Sequence, residues 1–256
     1  MQSQPRRALI AGESWIMHTI HQKGVDSFNT TAYGTGHQWL QGALEAGSWE
    51  VEHLPNHLAP EVFPTTMAEL NGFDVVVLSD IGSNSLLLSP DTFERSLSAP
   101  NRLVLLRDWV AAGGGLIMIG GYLTFQGIEG KGRYAGSAVE EALPVMIFPF
   151  DDRVELPEGV VPVVSVADHP LATGLPAPWP EILGYNRLTA RPEAATVVTA
   201  GNDPLLVSWD FGRGRSVAFA SDCGPHWAPP AFVEWAGYAT LWQNIANWAA
   251  GSRGDT

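Results

Sequence analysis

Short apolar runs alternate with amphipathic stretches through the first half of the chain, and this alternation restricts the possible folds more than any other feature. Asp74 to Ser79 (DVVVLS) is apolar on both faces, as a central parallel strand must be when helices cover it above and below. Ala8 to Ala11 and Leu116 to Ile119 predict further buried strands, and Trp39 to Leu44 predicts a helix after the first one. These βαβ units predict an α/β fold with an open, mostly parallel, doubly wound sheet of the flavodoxin-like class.

The second half of the chain differs from the first in composition and in the elements that it predicts. From Phe148 to about Pro192 it is rich in proline, and Ala195 to Ala200, Pro204 to Trp209 and Arg215 to Ala220 then predict an antiparallel C-terminal extension. The helical spacing from Phe232 to Trp248 predicts a final helix packed on the sheet. Because the proline-rich middle lacks a helical layer of its own, we predict one domain over residues 1–256, ordered from about 6 to 250, with flexible ends.

The charge balance excludes one class of partner. The chain carries 14 Lys and Arg against 27 Asp and Glu, and its net charge of −13 would repel a phosphate backbone, so we predict no nucleic-acid partner. The most apolar window, Leu116 to Phe125, is interrupted by two glycines and is too short to span a bilayer. With no visible export signal and a single cysteine, Cys223, we predict a cytoplasmic protein without a membrane partner.

Polar side chains follow the predicted strands at the points where they end. In an open α/β sheet, ligands bind beyond the carboxyl ends of the parallel strands, so these residues form the candidate cleft. They offer an acid, an imidazole, a thiol and a phenol. The candidates are Glu13, Ser14 and Trp15 in GESW, Asp80, Ser83 and Asn84 in SDIGSN, Gly121 and Tyr122 in GGY, and Asp222, Cys223, His226 and Trp227 in SDCGPHW.

Structural roles compete with chemical ones at several of these positions. Cys223 belongs to a residue type that is more often a buried small hydrophobe than a nucleophile, and His226 is as typical of a structural loop as of a catalytic one. His18 and His21 lie in a predicted loop without the spacing of a metal site. Gly113 to Gly115 precede a strand, whereas phosphate-binding loops follow one. We therefore predict neither a metal nor a cofactor.

Three runs carry a resemblance to a known family: FDVVVLSDIGSNSLLL, LLRDWVAAGGGLIMIGGYLTFQG and GRGRSVAFASDCGPHW. Together they resemble the class I glutamine amidotransferase-like superfamily, in an uncharacterised bacterial branch, over nearly the whole chain. Working members use a cysteine at a sharp strand-to-helix elbow, activated by a histidine that a glutamate orients. Here Gly121 or Tyr122 stands at the elbow. The histidine region reads Pro225, His226 and Trp227, and the next acid, Glu234, follows eight residues later.

Three hypotheses for function follow. The first is an amidotransferase-like domain that is no longer a glutaminase and binds a small molecule in the cleft, with Tyr122 and His226 facing it. The second is a hydrolase or amidotransferase that uses a relocated Cys223 and His226 site, with Asp222 or Glu13 as acid and base. The third is an oligomeric interaction module, which the ten tryptophans would favour if several were exposed. The superfamily resemblance itself implies a homo-oligomer.

Overall fold

An eight-stranded sheet organises residues 5–251, the part of the chain that the computed structural model describes. The predicted flexible ends fall mostly on residues 1–4 and 252–256, which lie outside this part. The strands are β1 (Arg6–Gly12), β2 (Ser14–Lys23), β3 (Asp26–Thr35), β4 (Trp49–Leu54), β5 (Val75–Ser79), β6 (Gly115–Ile119), β7 (Val145–Ile147), β8 (Arg153–Val160), β9 (Val163–Val164), β10 (Ile182–Asn186), β11 (Leu188–Ala190), β12 (Ala195–Ala200), β13 (Asp203–Phe211) and β14 (Gly214–Phe219).

The main sheet has the strand order β4-β1-β5-β6-β14-β13-β12-β9. All neighbours from β4 to β14 are parallel, and the pairs from β14 to β9 are antiparallel. The α/β class with a large, mostly parallel central sheet is therefore confirmed. β5 and β6 are buried at every residue, as strands covered on both faces must be. A two-residue turn at Gly212 and Arg213 joins β13 to β14.

Two groups of helices pack against the sheet: α1 lies against α9, whereas α6 contacts α3, α4 and α7. Asn101 starts α6 because its side chain accepts hydrogen bonds from the backbone N–H groups of Leu103 and Val104. The helices are α1 (Gln38–Ala46), α2 (Ala59–Val62), α3 (Met67–Leu70), α4 (Ser83–Leu87), α5 (Pro90–Phe93), α6 (Arg102–Ala111), α7 (Ala138–Ala142), α8 (Pro230–Val233) and α9 (Tyr238–Ala249). None of the helices within residues 5–251 is long and apolar enough to cross a membrane.

The predicted single helix from Phe232 to Trp248 is wrong, because the chain forms α8 and α9 with a break between them. Gly237 lies in this break, where the ring of Trp235 leaves no room for a Cβ atom. The apolar residues keep a helix-like spacing across the break because side chains on both sides of it, including Phe232 and Trp242, pack into the same core. Periodicity alone therefore could not locate the interruption.

Residues 14–35, where we expected a loop that includes His18 and His21, form a long hairpin of β2 and β3. We call this hairpin the arm. It is a separate two-stranded sheet with ten aligned residue pairs, from Ser14 opposite Thr35 to Lys23 opposite Asp26. Both of its faces are exposed over most of its length. For that reason the sequence lacks the alternation of apolar and polar residues that is typical of a half-buried strand, and its pattern does not predict β2 and β3.

Candidate functional site

A cavity of about 400 Å³ opens beyond the carboxyl ends of the parallel strands. Three carboxylates reach it from the residues that follow β1, β5 and β14, and neither lysine nor arginine is among its lining residues. It is lined by Glu13, Trp15, Thr35, Gly36, Trp39, Asp80, Tyr122, Asp222, Gly224, Pro225 and His226. The cavity is therefore acidic and aromatic.

Two of the carboxylates are held by an unusual backbone. Glu13 directly follows β1 and Asp80 directly follows β5, and their φ angles are 49° and 46°. Few residues other than glycine adopt such angles, because the Cβ atom crowds the carbonyl group. The Glu13 N–H donates to the Ser79 carbonyl at 3.0 Å, and the Glu13 carbonyl accepts from Gly36 at 2.9 Å. These bonds hold Glu13 in its strained conformation, and the Asp80 carbonyl accepts from Asn56 Nδ2 at 3.1 Å. The surrounding structure offsets the local cost of such backbone angles.

The Glu13 carboxyl group lies in a buried hydrogen-bond network. Its side chain is only 3% exposed, and Oε1 accepts from Ser79 Oγ at 2.5 Å and from Cys223 Sγ at 3.6 Å. Burial, followed by repulsion from Asp222 and Asp80, raises its pKa to about 8. Glu13 thus retains a proton at neutral pH. Its other oxygen, Oε2, lies so close to Gly36 that a Cβ atom there would collide with it.

The other acids face Glu13 across the cavity. Nδ1 of His226 lies 3.3 Å from Oδ2 of Asp222, and this pairing raises the pKa of the imidazole. Asp80 Oδ1 accepts from the backbone N–H of Leu123 at 2.9 Å. Burial, followed by the charge of Asp222, raises the pKa of Asp80. The site therefore holds its acids close together, with His226 as the ionic partner of Asp222.

Tyr122 forms one wall of the cavity by its ring rather than by its hydroxyl group. The hydroxyl donates to Glu155 Oε1 at 3.3 Å, and Trp227 Nε1 donates to the second oxygen of that carboxylate at 2.9 Å. The Tyr122 ring packs edge-on against His226, with 4.4 Å between the ring centroids, and the Arg153 guanidinium lies 4.8 Å from its centroid. The hydroxyl group of Tyr122 therefore already has a hydrogen-bond partner. The imidazole of His226 is oriented by both Tyr122 and Asp222.

Cys223 lies beneath the cavity and is fully buried. Besides Glu13, its thiol contacts Ser79 Oγ at 3.8 Å, and its carbonyl accepts from the Tyr238 hydroxyl at 2.5 Å. Burial, followed by the charges of Glu13 and Asp222, raises its pKa well above the ordinary range, so the thiol is protonated at neutral pH. The hydrogen bonds of this thiol go to Ser79 and Glu13, and the ionic partner of His226 is Asp222.

Backbone groups fill the elbow after β6. The chain passes from Ile119 through Gly120 to Gly121, and a Cβ at Gly120 would collide with the carbonyl oxygen of Ala220. Gly121 has φ of +149°, which favours glycine, and both of its backbone polar groups bond to the buried Asn186 side chain. Neither glycine position offers an unstrained place for a nucleophilic side chain.

The structure brings together about half of the residues that the sequence placed in the cleft. Glu13, Trp15, Asp80, Tyr122, Asp222 and His226 line the cavity, with Cys223 below them. Sequence reasoning missed Trp39, which it assigned to a helix face, and also Thr35 to Gly36 and Gly224 to Pro225. The positions of Gly224 and Pro225 inside SDCGPHW, beside three candidates, could have indicated them.

Five other predicted cleft residues do not line this cavity. Ser14 Oγ accepts from the Asn56 N–H at 2.7 Å, and Ser83 Oγ donates to the Arg133 carbonyl at 3.0 Å, so both hydroxyls serve local structure. Asn84 is exposed on α4, whereas Gly121 and Trp227 are buried behind the wall. Residues beyond a strand end can point in several directions, and the sequence does not distinguish among them.

Glu13, Asp222 and Cys223 are the residues whose donor atoms could converge on a metal ion, since one atom of each lies within 4.8 Å of the others. This set consists of two carboxyl groups and a thiol. It contains none of the histidines considered in the sequence analysis. His18 and His21 lie in the arm, and His37 and His53 stack with 3.5 Å between their ring centroids. Stacked rings direct their nitrogens outward in their own planes and so do not converge on one ion.

Comparison with known proteins identifies the relatives of the chain. No curated protein sequence matches it. It is similar to Cytoplasmic Protein STM3548 from Salmonella typhimurium, with 43% identity and a TM-score of 0.92 over 94% of this chain and 98% of that one. Cytoplasmic Protein STM1381 from Salmonella typhimurium LT2 is 42% identical, with a TM-score of 0.92 over 95% and 99% of the two chains.

A more distant solved structure shares the fold alone. The "Putative thua-like protein" from Parabacteroides merdae ATCC 43184 is 15% identical, with a TM-score of 0.57 over 96% of this chain and 90% of that one. The family model named GATase1_like and described as "Putative glutamine amidotransferase" matches residues 7–251. This match spans nearly the whole chain, and the sequence resemblance pointed to the same family. The chain therefore belongs to the GATase1_like family.

Proposed function

We propose that this chain binds a small molecule without negative charge in the cavity between Glu13, Asp80 and Asp222, and that it does not hydrolyse glutamine. The observation that carries the proposal is the lining of the cavity: three carboxylates and several aromatic rings, with no lysine or arginine. Such a lining attracts hydrogen-bond donors and cations and repels anions.

Glutamine fits this lining poorly. Its α-carboxylate would enter a cavity that already holds Asp80 and Asp222 and that has neither lysine nor arginine in its lining. The chemistry also lacks its nucleophile. The elbow is built from Gly120 and Gly121, and the Cys223 thiol is buried and protonated.

A ligand rich in donors fits it well. Trp15 and Trp39 line the cavity, and indole rings interact favourably with apolar groups and with ammonium groups. The carboxylates accept hydrogen bonds from hydroxyl or ammonium groups. The protonated carboxyl group of Glu13 can in addition donate a hydrogen bond to an oxygen or a nitrogen of such a ligand. The ligand class is therefore a small amine or a polyol.

The position of the cavity supports the same conclusion. The order β4-β1-β5-β6-β14 favours the flavodoxin-like, doubly wound class, in which ligands bind where the strand order reverses. Glu13 and Asp80 follow β1 and β5, the two strands at that reversal. We also propose a cytoplasmic location, since both Salmonella relatives are named cytoplasmic proteins.

Calorimetric titration of the purified protein with a panel of small amines, polyols and dicarboxylates tests the ligand class. We expect amines or polyols to bind, and we expect Asp222→Asn to weaken that binding at least tenfold. Glu158→Gln, which neutralises an exposed carboxylate of β8, should leave it unchanged. Preferential binding of dicarboxylates would contradict the proposal.

A second experiment tests the loss of glutaminase activity. We expect no ammonia release from glutamine and no mass increase with an electrophilic glutamine analogue. Labelling that disappears in Cys223→Ala and in His226→Ala would establish a working thiol site and overturn this part of the proposal.

One observation favours a second candidate, a hydrolase that acts on the bound molecule. The protonated carboxyl of Glu13 lies within 4.8 Å of an oxygen of Asp222, which pairs with His226. A protonated carboxyl group can act as a general acid, and a neighbouring pair of carboxylate and imidazole can act as a general base. The test is hydrolysis of an identified ligand over pH 5 to 9 in wild type and Glu13→Gln. Loss of the alkaline limb in the variant would support the assignment, and an unchanged profile would exclude it.

A further inference from the structure

The arm, residues 14–35, stands apart from the rest of the fold. Every described hydrogen bond and ring contact of residues 17–32 joins two residues of the arm, including His18 to Thr31 and His21 to Phe28. Contacts with the remaining structure are made at its base, where Asn56 bonds to Ser14 and His57 packs against Tyr33. A two-stranded hairpin of this kind is at best marginally stable in water by itself.

The exposed surface of the arm is nearly free of charge and combines large apolar side chains with uncharged polar ones. Within residues 14–35, the charged side chains are Lys23 and Asp26, which lie opposite each other beside the tip. On one face Ile16 and Ile20 are 51% and 72% exposed, and Val25 at the tip is 99% exposed. The other large apolar side chains exposed on the arm are Trp15, Met17, Phe28 and Tyr33. Seven large apolar side chains exposed on one hairpin, with almost no charge among them, mark an interaction site.

The chemistry of the arm selects its partner. With one basic and one acidic side chain, the arm offers nothing to a phosphate backbone or to an anionic lipid surface. The chain as a whole carries a net charge of −13, so contact between two copies is favoured at a surface from which that charge is absent. The arm is such a surface. Its two outer strand edges also carry unpaired backbone groups that an identical arm can pair.

The size of the arm is sufficient for a stable dimer. Ten residues per strand give a length of roughly 34 Å, and two strands a width of about 10 Å, so two faces present about 700 Å². If both faces of both arms were covered completely, two exchanged arms and the surfaces that they cover would bury at most about 2,700 Å². This exceeds the range of about 1,200 to 2,000 Å² that is typical of stable, specific interfaces.

We propose that the arm is the contact by which a second copy of this chain docks, with the arms exchanged around a two-fold axis. This inference goes beyond the proposed ligand site, but the two adjoin. Trp15 lies at the base of the arm and lines the cavity, and Thr35 and Gly36 continue from its second strand into the lining. Docking of the arm would therefore fix one wall of the cavity.

The test measures the mass of the full chain by light scattering and by sedimentation velocity, between about 1 and 100 µM. The wild type should be a dimer or a larger assembly. Ile20→Lys should reduce it to a monomer at concentrations at which Phe93→Lys retains the wild-type mass. Phe93 is the matched control because it is also 72% exposed but lies on α5, away from the arm.

A shortened variant covers the outcome in which Ile20→Lys aggregates. Residues 18–31 are replaced by Asn-Gly, a two-residue turn that closes a hairpin, and Met17 and Ala32 remain paired. A folded monomer, with the circular dichroism of the wild type, supports the proposal. A wild type that is monomeric at 100 µM, or a shortened variant with the wild-type mass, overturns it. Wild type that is monomeric but sediments with neutral lipid vesicles would assign the arm to a membrane surface instead.

Discussion

Replacement of Glu13 by glutamine tests the electrostatics of the cavity directly. The pKa of Glu13 is raised from 4.5 to about 8, so between these values the folded protein holds a proton that the unfolded chain releases. The sign follows: the contribution to stability is complete below about pH 4.5 and is lost as the pH rises through 8. A shift of this size corresponds to a ceiling of about 5 kcal/mol, at about 1.4 kcal/mol per pH unit.

The glutamine side chain of the Glu13→Gln variant cannot ionise, yet it keeps the shape of the glutamate and an oxygen that accepts from Ser79 Oγ. We therefore expect the free energy of unfolding of the wild type, relative to this variant, to fall by about 2 to 5 kcal/mol between pH 5 and pH 9. Urea unfolding followed by tryptophan fluorescence at one-unit pH intervals measures this difference. Glu158→Gln, at an exposed position in β8, is the control and should follow the wild type at every pH. A wild-type-minus-variant difference that stays constant across this range would refute the reasoning.

Three further substitutions test the support of the elbow, the electrostatics of the cavity and the packing of α9. Asn186→Ala removes a buried side chain that bonds both backbone polar groups of Gly121, so urea unfolding should show a loss of about 2 to 4 kcal/mol. Asp222→Asn removes the group that raises the pKa of His226, so the imidazole should titrate at lower pH in an NMR titration. Trp242→Ala leaves a cavity between α9 and the sheet, and its cost in the same unfolding assay should be about 3 to 5 kcal/mol.

The buried framework could be predicted because its sequence signals are local. The DVVVLS run becomes β5, and Ala195 to Ala200 becomes β12 with the predicted bounds. Ser137 caps α7, since its hydroxyl group accepts from the Glu140 N–H, and the Glu140 carboxylate accepts from the backbone N–H groups of Gly136 and Ile147. Strands and caps depend on a few neighbouring residues, and such patterns are visible in the sequence.

The arm and half of the cleft depend on contacts that are distant in sequence. No local signal distinguishes Asp80, which turns into the cavity, from Ser83, which bonds to the Arg133 carbonyl. The arm has apolar residues on both faces because the chain itself covers neither, so the alternation that identifies a half-buried strand is missing. Such features require the three-dimensional arrangement.

The pairing of β6 with β14 affects the order in which the protein folds. It aligns Gly115 with Arg215 across a hundred residues of chain, whereas β1, β4 and β5 pair within a much shorter segment. Closing so long a loop is slow, so Asp222 arrives after Glu13 and Asp80 are already in place. Its approach brings a third carboxyl group beside the buried Glu13 and beside Asp80. Refolding in alkaline buffer should accordingly be delayed at this final step, in which the cavity acquires its remaining wall.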